Sequence, residues 1–392
     1  MGNDSSVVEP SSFVRPYSSE MYVSFNEPRM SNERNDSALV SNSLHVHEKR
    51  PTMLKSSFSG IWSIRYSDSV TPIPRKGHFY YYNEETHKCF IGYGINSDSN
   101  MLSDFWIFDT YTNMWNQRKL TGDIVNGRTG SRAALVNDKL YIFGGFANKT
   151  YYSDLHTIDI NTGIVERIST TGDEPSPRTS PLFSLYNNKI YLWGGFNGEW
   201  PSSLHVLDLL TNNWKEYPQE ISGRITSPGV VIDDYYLAFG GSKSGGMLFL
   251  HYDENKITIK ETSGSEPPSC IGSGMVLIDH YLFFFGGKAD YDYTLVYACD
   301  TTKMWWFVFH IMPDGDTVSV ADGVISNLGL FMFPRAHSFA VCYVKERREI
   351  LAFLGCPEKD PIPTSVVSVG EALSVLHLRD DMLTILSSNS MF

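Results

Sequence analysis

His156, His205, His251 and His377 each stand two or three residues before an aspartate that closes an alternating apolar run, the place Trp106 fills before Asp109. Imidazoles recurring at one position could ligate a transition metal, but only if they converge on one point. Residues repeated once per structural unit are separated by a whole sheet, so packing accounts for them, and neither a metal nor a cofactor is expected. The cysteines Cys89, Cys270, Cys299, Cys342 and Cys356 are odd in number, far apart and without a Cys-x-x-Cys pair. They read as reduced thiols of an intracellular protein rather than a zinc site or a disulfide framework. Asp290 and Asp292 are two carboxylates in one loop, a pair that acid–base chemistry could use, although solvated loop charge is the better explanation of them. The run Gly240-Gly241-Ser242-Lys243-Ser244-Gly245-Gly246 superficially resembles a phosphate loop, but no helix follows to present its N–H groups. Neither a Gly-x-Ser-x-Gly elbow nor a His-Glu-x-x-His pair occurs. No catalytic residues are therefore assigned.

The elements that must position these residues are written repeatedly along the chain. Tyr191-Leu192-Trp193-Gly194-Gly195 is echoed by Tyr141-Ile142-Phe143-Gly144-Gly145, Leu237-Ala238-Phe239-Gly240-Gly241 and Phe283-Phe284-Phe285-Gly286-Gly287. Weaker copies are Phe90-Ile91-Gly92-Tyr93-Gly94 and Ala352-Phe353-Leu354-Gly355-Cys356, the latter read with cysteine in place of the second glycine. Measured at positions 92, 144, 194, 240 and 286, the steps run from 46 to 52 residues, a propeller-type period. Arg128, Arg178 and Arg224 precede the glycines by 16 residues, Arg75 and Arg335 match with small insertions, and Cys270 breaks the pattern. After the glycines comes an aspartate-closed strand, and six residues beyond each aspartate stands Trp115, Val165, Trp214, Ile259 or Trp306.

Pro-Arg before one strand, Gly-Gly after the next, then an aspartate-closed strand and a Trp strand: these residues resemble kelch repeats, from Trp62 onward. The resemblance implies an all-β fold, a kelch-type β-propeller similar to the central domain of galactose oxidase. It leaves function open, because the fold hosts many activities. The iron-dependent kelch enzymes carry Glu-x-x-x-Asp-x-x-x-His, and no histidine here has an aspartate four residues before it. Six four-stranded blades are expected, with seven as the alternative. Trp62 lies thirteen residues before Arg75, as Trp115 does before Arg128, so residues 58–66 read as an outer strand closing the blade begun at Arg335. The third strand of that last blade would be residues 373–380; the competing outer strand is residues 382–386. Segments 312–333 and 357–370 read as insertions on one face, beside each other. The Trp strands are expected to cover the outside of the blades.

Residues 1–55 are rich in Ser, Asn, Glu and Arg without sustained apolar periodicity, and read as a disordered tail before a propeller at 56–392. The start Met1-Gly2-Asn3-Asp4-Ser5-Ser6 fits N-myristoylation of Gly2, which by itself implies weak, reversible membrane association. A formal net charge of −12 without a basic cluster excludes a nucleic-acid surface. No secretory signal or membrane-spanning run is read, and the protein is expected to be cytoplasmic, peripheral to membranes if lipidated, and monomeric.

What varies between repeats is the loop after the glycines. There stand Phe146, Tyr151, Phe196, Trp200, Lys243, Tyr291 and Tyr293, side chains of the kind that form interface hot spots. The leading expectation is a non-enzymatic interaction module that binds a protein or peptide partner through these residues. The runner-up is an enzyme acting on a carbohydrate or other small molecule at the central opening, with Asp290 and Asp292 as acid and base.

Overall fold

Alternation of apolar and polar residues over five-residue runs, punctuated by Asn-Asp, Asn-Asn and Asp-Asp turns, folds each repeat into an antiparallel meander. The computed structural model describes residues 59–225, 229–242, 246–370 and 372–373. Among them are six sheets built on a four-stranded meander, four of which carry an added fifth strand, numbered here as blades 1 to 6 in chain order, and one small three-stranded sheet. Blade 1 runs Phe79–Asn83, Lys88–Gly92, Phe105–Asp109, Met114–Arg118 from its innermost to its outer strand. Blade 2 begins at Arg132–Val136, blade 3 at Leu182–Tyr186, blade 4 at Val230–Ile232, blade 5 at Ile271–Ile278 and blade 6 at Ala340–Val344.

The closing aspartates have a local cause. Asp109, Asp159, Asp208 and Asp300 each accept hydrogen bonds from the two N–H groups that follow in the turn, as Asp109 does from Tyr111 and Thr112 at 2.9 Å. A short carboxylate at the end of a strand thereby caps the turn into the outer strand.

Blade 6 takes its outer strand from the other end of the chain. Gly60–Tyr66 pairs antiparallel with Pro363–Ser368, Trp62 opposite Val367, so the expected closure by the Trp62 segment is observed. The third strand is not where it was expected. It lies at Pro363–Ser368, inside the segment read as an insertion, and only residues 354–362 form the loop before it. The strand ends in Ser368 rather than aspartate, which hid it. Residues 374–392, including His377 and the competing strand, lie outside the described residues, as do the tail at 1–55 and Gly2.

Outer edges are also protected. Thr121–Gly122, Thr171–Gly172 and Ser263–Gly264 add parallel to the outer strands of blades 2, 3 and 5, and Ile311–Pro313 adds to Gly60–Tyr66. Covering these strands removes unpaired backbone from the rim. The three two-residue strands stand six residues before Arg128, Arg178 and Cys270, a regularity open to sequence reading but not used in it.

The Trp strands are the outer strands of their blades, as expected, while the indoles themselves pack between blades. Trp115 meets Phe353 of blade 6 at 5.6 Å, Trp214 meets Phe143 of blade 2 at 6.2 Å, and Trp306 meets Phe239 of blade 4 at 4.7 Å. All three indoles are buried. The counterpart in blade 4 is Ile257, opposite Leu250 and buried, whereas Ile259 is 40% exposed. The expectation for Ile259 failed because blade 4 turns two residues before Asp253.

Blade order is written in one recurring hydrogen bond. The N–H groups of Gly94, Gly145, Gly195, Gly241, Gly287 and Gly355 donate to the carbonyls of Arg128, Arg178, Arg224, Cys270, Ala336 and Arg75, at 2.8 to 3.0 Å. Each bond joins a blade to the next, and the sixth returns to blade 1. This register corrects the glycine alignment: Tyr93 and Leu354 occupy the first-glycine place, with φ of 62° in both, and Gly94 and Gly355 the second. Cys356 therefore follows the pair rather than replacing part of it. The equivalent of Arg128 in blade 6 is Ala336, not Arg335.

The second glycine has the more extreme backbone. Its φ lies between 83° and 108°, and a Cβ at Gly195 would stand 2.6 Å from the Thr179 carbonyl oxygen. First-place glycines also leave little room, a Cβ at Gly144, Gly194 or Gly286 standing 2.5 to 2.6 Å from a carbonyl oxygen, but at Gly240 the nearest atom would be 3.2 Å away. Gly195→Ala is accordingly expected to lower unfolding free energy by about 3 kcal/mol, combining positive φ with overlap, against about 1 kcal/mol for Gly240→Ala. Urea unfolding of both variants checks this; equal losses would contradict the distinction between these two sites.

Candidate functional site

The loops that enter each innermost strand and those that join second to third strands meet on one face. The recurring arginines bind these loops together. Arg75, Arg128 and Arg178 donate through Nη1 to the carbonyls of Tyr93, Gly144 and Gly194, at 3.1, 3.3 and 3.2 Å. Arg75 also forms a bidentate pair with Asp104 at 2.5 and 2.9 Å, and Arg128 pairs with Asp154 at 2.5 Å while its guanidinium lies 3.9 Å from the Tyr152 ring centre. Arg224 is buried at the same position. These guanidinium groups are pins of the fold rather than a ring offered to an acidic peptide.

Blade 5 departs from the rule. Its pin position is Cys270, whose Sγ lies 3.4 Å from the Gly286 carbonyl oxygen, and Arg335 reaches back from the entry to blade 6 to donate to the same carbonyl at 3.0 Å. Arg335 also donates to the carbonyls of Tyr291 and Tyr293, both at 2.9 Å. The chain supplies the missing pin from the next repeat.

The histidines are accounted for by packing. His156 is fully buried, with Nε2 2.7 Å from the Tyr93 hydroxyl; His205 Nδ1 lies 3.0 Å from the Asp173 carbonyl, and His251 Nε2 2.9 Å from the Thr258 hydroxyl. Burial lowers His156 to a pKa of about 4. Burial, followed by the charges of Arg75 and Arg132, lowers His78 to about 3. Among the described residues no group of three or more His, Cys, Asp or Glu side chains is placed to hold a metal. The five cysteines are all free thiols, four of them buried.

Two cavities among the described residues bear on the site. A central one of about 470 Å³ is lined by all six innermost strands, through Tyr80, Arg132, Ser184, Val230, Val276 and Tyr343 among others. Burial lowers the pKa of Arg132 and raises that of Tyr80. A second cavity of about 310 Å³ lies between the blade 5 loop and the segment 312–333. Asp290 and Asp292 line this second cavity and not the central one, so the two carboxylates do not form an acid–base pair at the central opening. Loop connectivity, invisible in the sequence, carries them to the side.

The segment 312–333 is a packed feature rather than a loose insertion. Val324–Ile325 pairs with Phe331–Pro334, which in turn pairs with Tyr293–Thr294, forming a small sheet over the junction of blades 5 and 6. Phe331 and Phe333 pack on Trp62 at 5.9 and 5.8 Å. Bonds from the Ser319 N–H and hydroxyl, with the charge of Lys359 adding to them, hold the Asp322 carboxyl below its ordinary range.

The named partner-binding residues fall into two groups. Phe146, Tyr151, Phe196 and Trp200 form a continuous aromatic strip across blades 2 and 3, with ring centres 4.8, 6.1 and 4.8 Å apart in that order. All four are half-buried. Blade 2 extends this surface because its second and third strands run on past the glycines, as Lys139–Ala147 and Thr150–Asp159, through a bulge at Gly144. Tyr291 and Tyr293 line the cavity beneath segment 312–333 instead. Lys243 lies outside the described residues. Sequence reasoning missed Met332 and Tyr297 of this second group; an insertion and a strand interior carry no signal that they meet.

The chain is a kelch-repeat β-propeller. Residues 49–241 match the family model described as the KLHDC2/KLHL20/DRC7 Kelch-repeats domain. Among curated proteins, the chain is similar to tip elongation aberrant protein 1 of Schizosaccharomyces pombe, 29% identical over 107 residues, 26% of this chain and 9% of that protein. It is also similar to host cell factor 1 of Homo sapiens, 33% identical over 110 residues, 27% of this chain and 5% of that one. A third relative is the tRNA wybutosine-synthesizing protein 2/3/4 of Oryza sativa subsp. japonica, 30% identical over 78 residues, 20% of this chain and 7% of that protein. The matched stretches span less than a tenth of each of these relatives.

Buried neutral histidines give the fold a pH dependence. The pKa values of His78 and His156 lie below the ~6.5 of an unfolded histidine, so the unfolded chain takes up protons first. Stability is complete above about pH 6.5 and falls as pH drops toward 4. In His156→Gln the fall in urea midpoint between pH 7 and pH 5 should be visibly smaller than in the wild type; an unchanged fall would show that His156 is not the proton acceptor.

Proposed function

We propose that the protein is a non-enzymatic interaction module which holds a protein or peptide partner on the loop face of its propeller. The observation that carries this reading is the aromatic strip Phe146, Tyr151, Phe196 and Trp200. These rings follow the glycine pairs, where the repeats stop agreeing, and the fold itself does not call for them: the equivalent of Phe146 and Phe196 is Ile95 in blade 1 and Cys356 in blade 6. Half-buried aromatic rings lose little side-chain freedom on binding and bring large apolar area, which is why such residues dominate interface energetics. Loops fixed by arginine pins hold that surface ready-made, so little ordering entropy opposes association.

In the same reading the protein is cytoplasmic, and a myristoyl group on Gly2 would bring it reversibly to membranes. One acyl chain gives only marginal affinity, so location would depend on a partner as well. Gly2→Ala should reduce the membrane-bound fraction in cells without changing the thermal midpoint of the purified protein; an equal membrane fraction would remove lipidation from the proposal.

Phe196→Ala combined with Trp200→Ala should weaken partner capture by about 2 kcal/mol or more, roughly thirtyfold, as expected for central aromatic anchors. Unfolding should remain cooperative with wild-type strand content. Capture at wild-type strength by the folded double variant would move the interface away from blades 2 and 3.

A further inference from the structure

We infer that the cavity between the blade 5 loop and segment 312–333 receives a basic side chain, lysine or arginine, from the peptide partner. This rests on the reading of the propeller as an interaction module and names the chemistry of what it takes. Asp290 and Asp292 are exposed at this cavity, and among the described residues neither carboxylate has an ion pair or hydrogen bond. They are not the structural acids of the repeat. That role belongs to the residue five before the closing aspartate, which is Asp104 in blade 1 and Asp154 in blade 2 but Leu295 in blade 5.

A second observation comes from inside the cavity. Tyr297 lines it, is only 3% exposed, and among the described residues has no hydrogen-bond partner for its hydroxyl. The hydroxyl is not one of the sealed, unpartnered polar atoms of the described residues, so it opens to the cavity, where a donor arriving from outside can reach it. A phenolic oxygen can accept from an ammonium or a guanidinium.

Arg335, the one cation in the cavity wall among the described residues, does not compete for this role. Arg335 turns its N–H groups to the carbonyls of Gly286, Tyr291 and Tyr293, and its guanidinium lies 5.1 Å from the Tyr291 ring centre. Its donors are used in pinning the loop, whereas the two carboxylates remain unpaired. An acidic side chain would have to pass those carboxylates; a basic one is drawn by them, and by the net charge of −12 on the chain. Leu295, Val324 and Met332 form apolar wall suited to the methylene stem of lysine or arginine.

The test uses the full chain at low salt with three probes: Nα-acetyl-lysinamide, Nα-acetyl-argininamide and Nα-acetyl-glutamate, followed by ligand-observed NMR and calorimetry. Saturable binding of one or both basic probes is expected, weakened about tenfold by Asp290→Asn with Asp292→Asn and strongly reduced in about 0.5 M salt. Tyr297→Phe, which keeps the ring and removes only the hydroxyl, should weaken it severalfold. Both changes should leave the urea midpoint near that of the wild type. Absence of saturable binding, equal affinity in the Asp290→Asn, Asp292→Asn variant, or preference for the glutamate probe would each overturn the inference. Loss of partner capture in the Phe196 and Trp200 variant together with no binding of the basic probes would leave the interaction module standing and this cavity assignment refuted. Binding of the basic probes by a protein that captures no partner would reverse that outcome.

Discussion

Six backbone hydrogen bonds, each from the second glycine of one blade to a carbonyl at the entry of the next, hold the blades in register around the whole circle. Any one of them contributes only about 1 kcal/mol net, so their importance lies in geometry rather than strength. A donor can reach that carbonyl only where the backbone turns through positive φ and no Cβ intervenes. Glycine is therefore found at all six second positions, while Tyr93 and Leu354 are accepted at the first. The tryptophans fill the space that this register creates, each packing on a phenylalanine of the preceding blade.

With the scaffold set by backbone, side chains on the loop face are released for other uses. Arginine pins carry the loops back to fixed carbonyls, and beyond the pins the repeats diverge. Divergence is concentrated in two sectors. Blade 2 extends a hairpin, and its aromatic rings join those of blade 3 across the gap between sheets. Blades 5 and 6 lose a pin at Cys270, recover it from Arg335, and place segment 312–333 over the junction, which creates a cavity that the regular repeat would not contain. The two sectors differ in chemistry: one is an apolar strip, the other an aromatic and acidic recess.

Much of this was legible from local pattern. Alternating strands, turn aspartates, paired glycines and the Trp62 closure depend on residues near one another in sequence or on a strict period, and these emerged as expected. The errors came where a local rule was read without its partner strand. Ile259 was aligned by counting from Asp253, but the register across the turn makes Ile257 the buried residue. The glycines flanking Tyr93 point to Gly92 as the first of the pair, although the backbone assigns Tyr93 to that place. The third strand of blade 6 lacked the closing aspartate and was passed over for a later run.

By itself the sequence determined an all-β repeat of about fifty residues, its strands and turns, and the loops in which side chains are free to vary. Those follow from propensity, periodicity and the conformational needs of glycine and aspartate, all of which act over a few bonds. Only the tertiary structure decided that Asp290 and Asp292 face a side cavity rather than the central one, that Arg335 serves blade 5, and that four aromatic residues from two blades form one strip. Each of these joins residues from different repeats or from an insertion, and such distances are set by the closure of the ring and the path of segment 312–333, which no period in the sequence encodes.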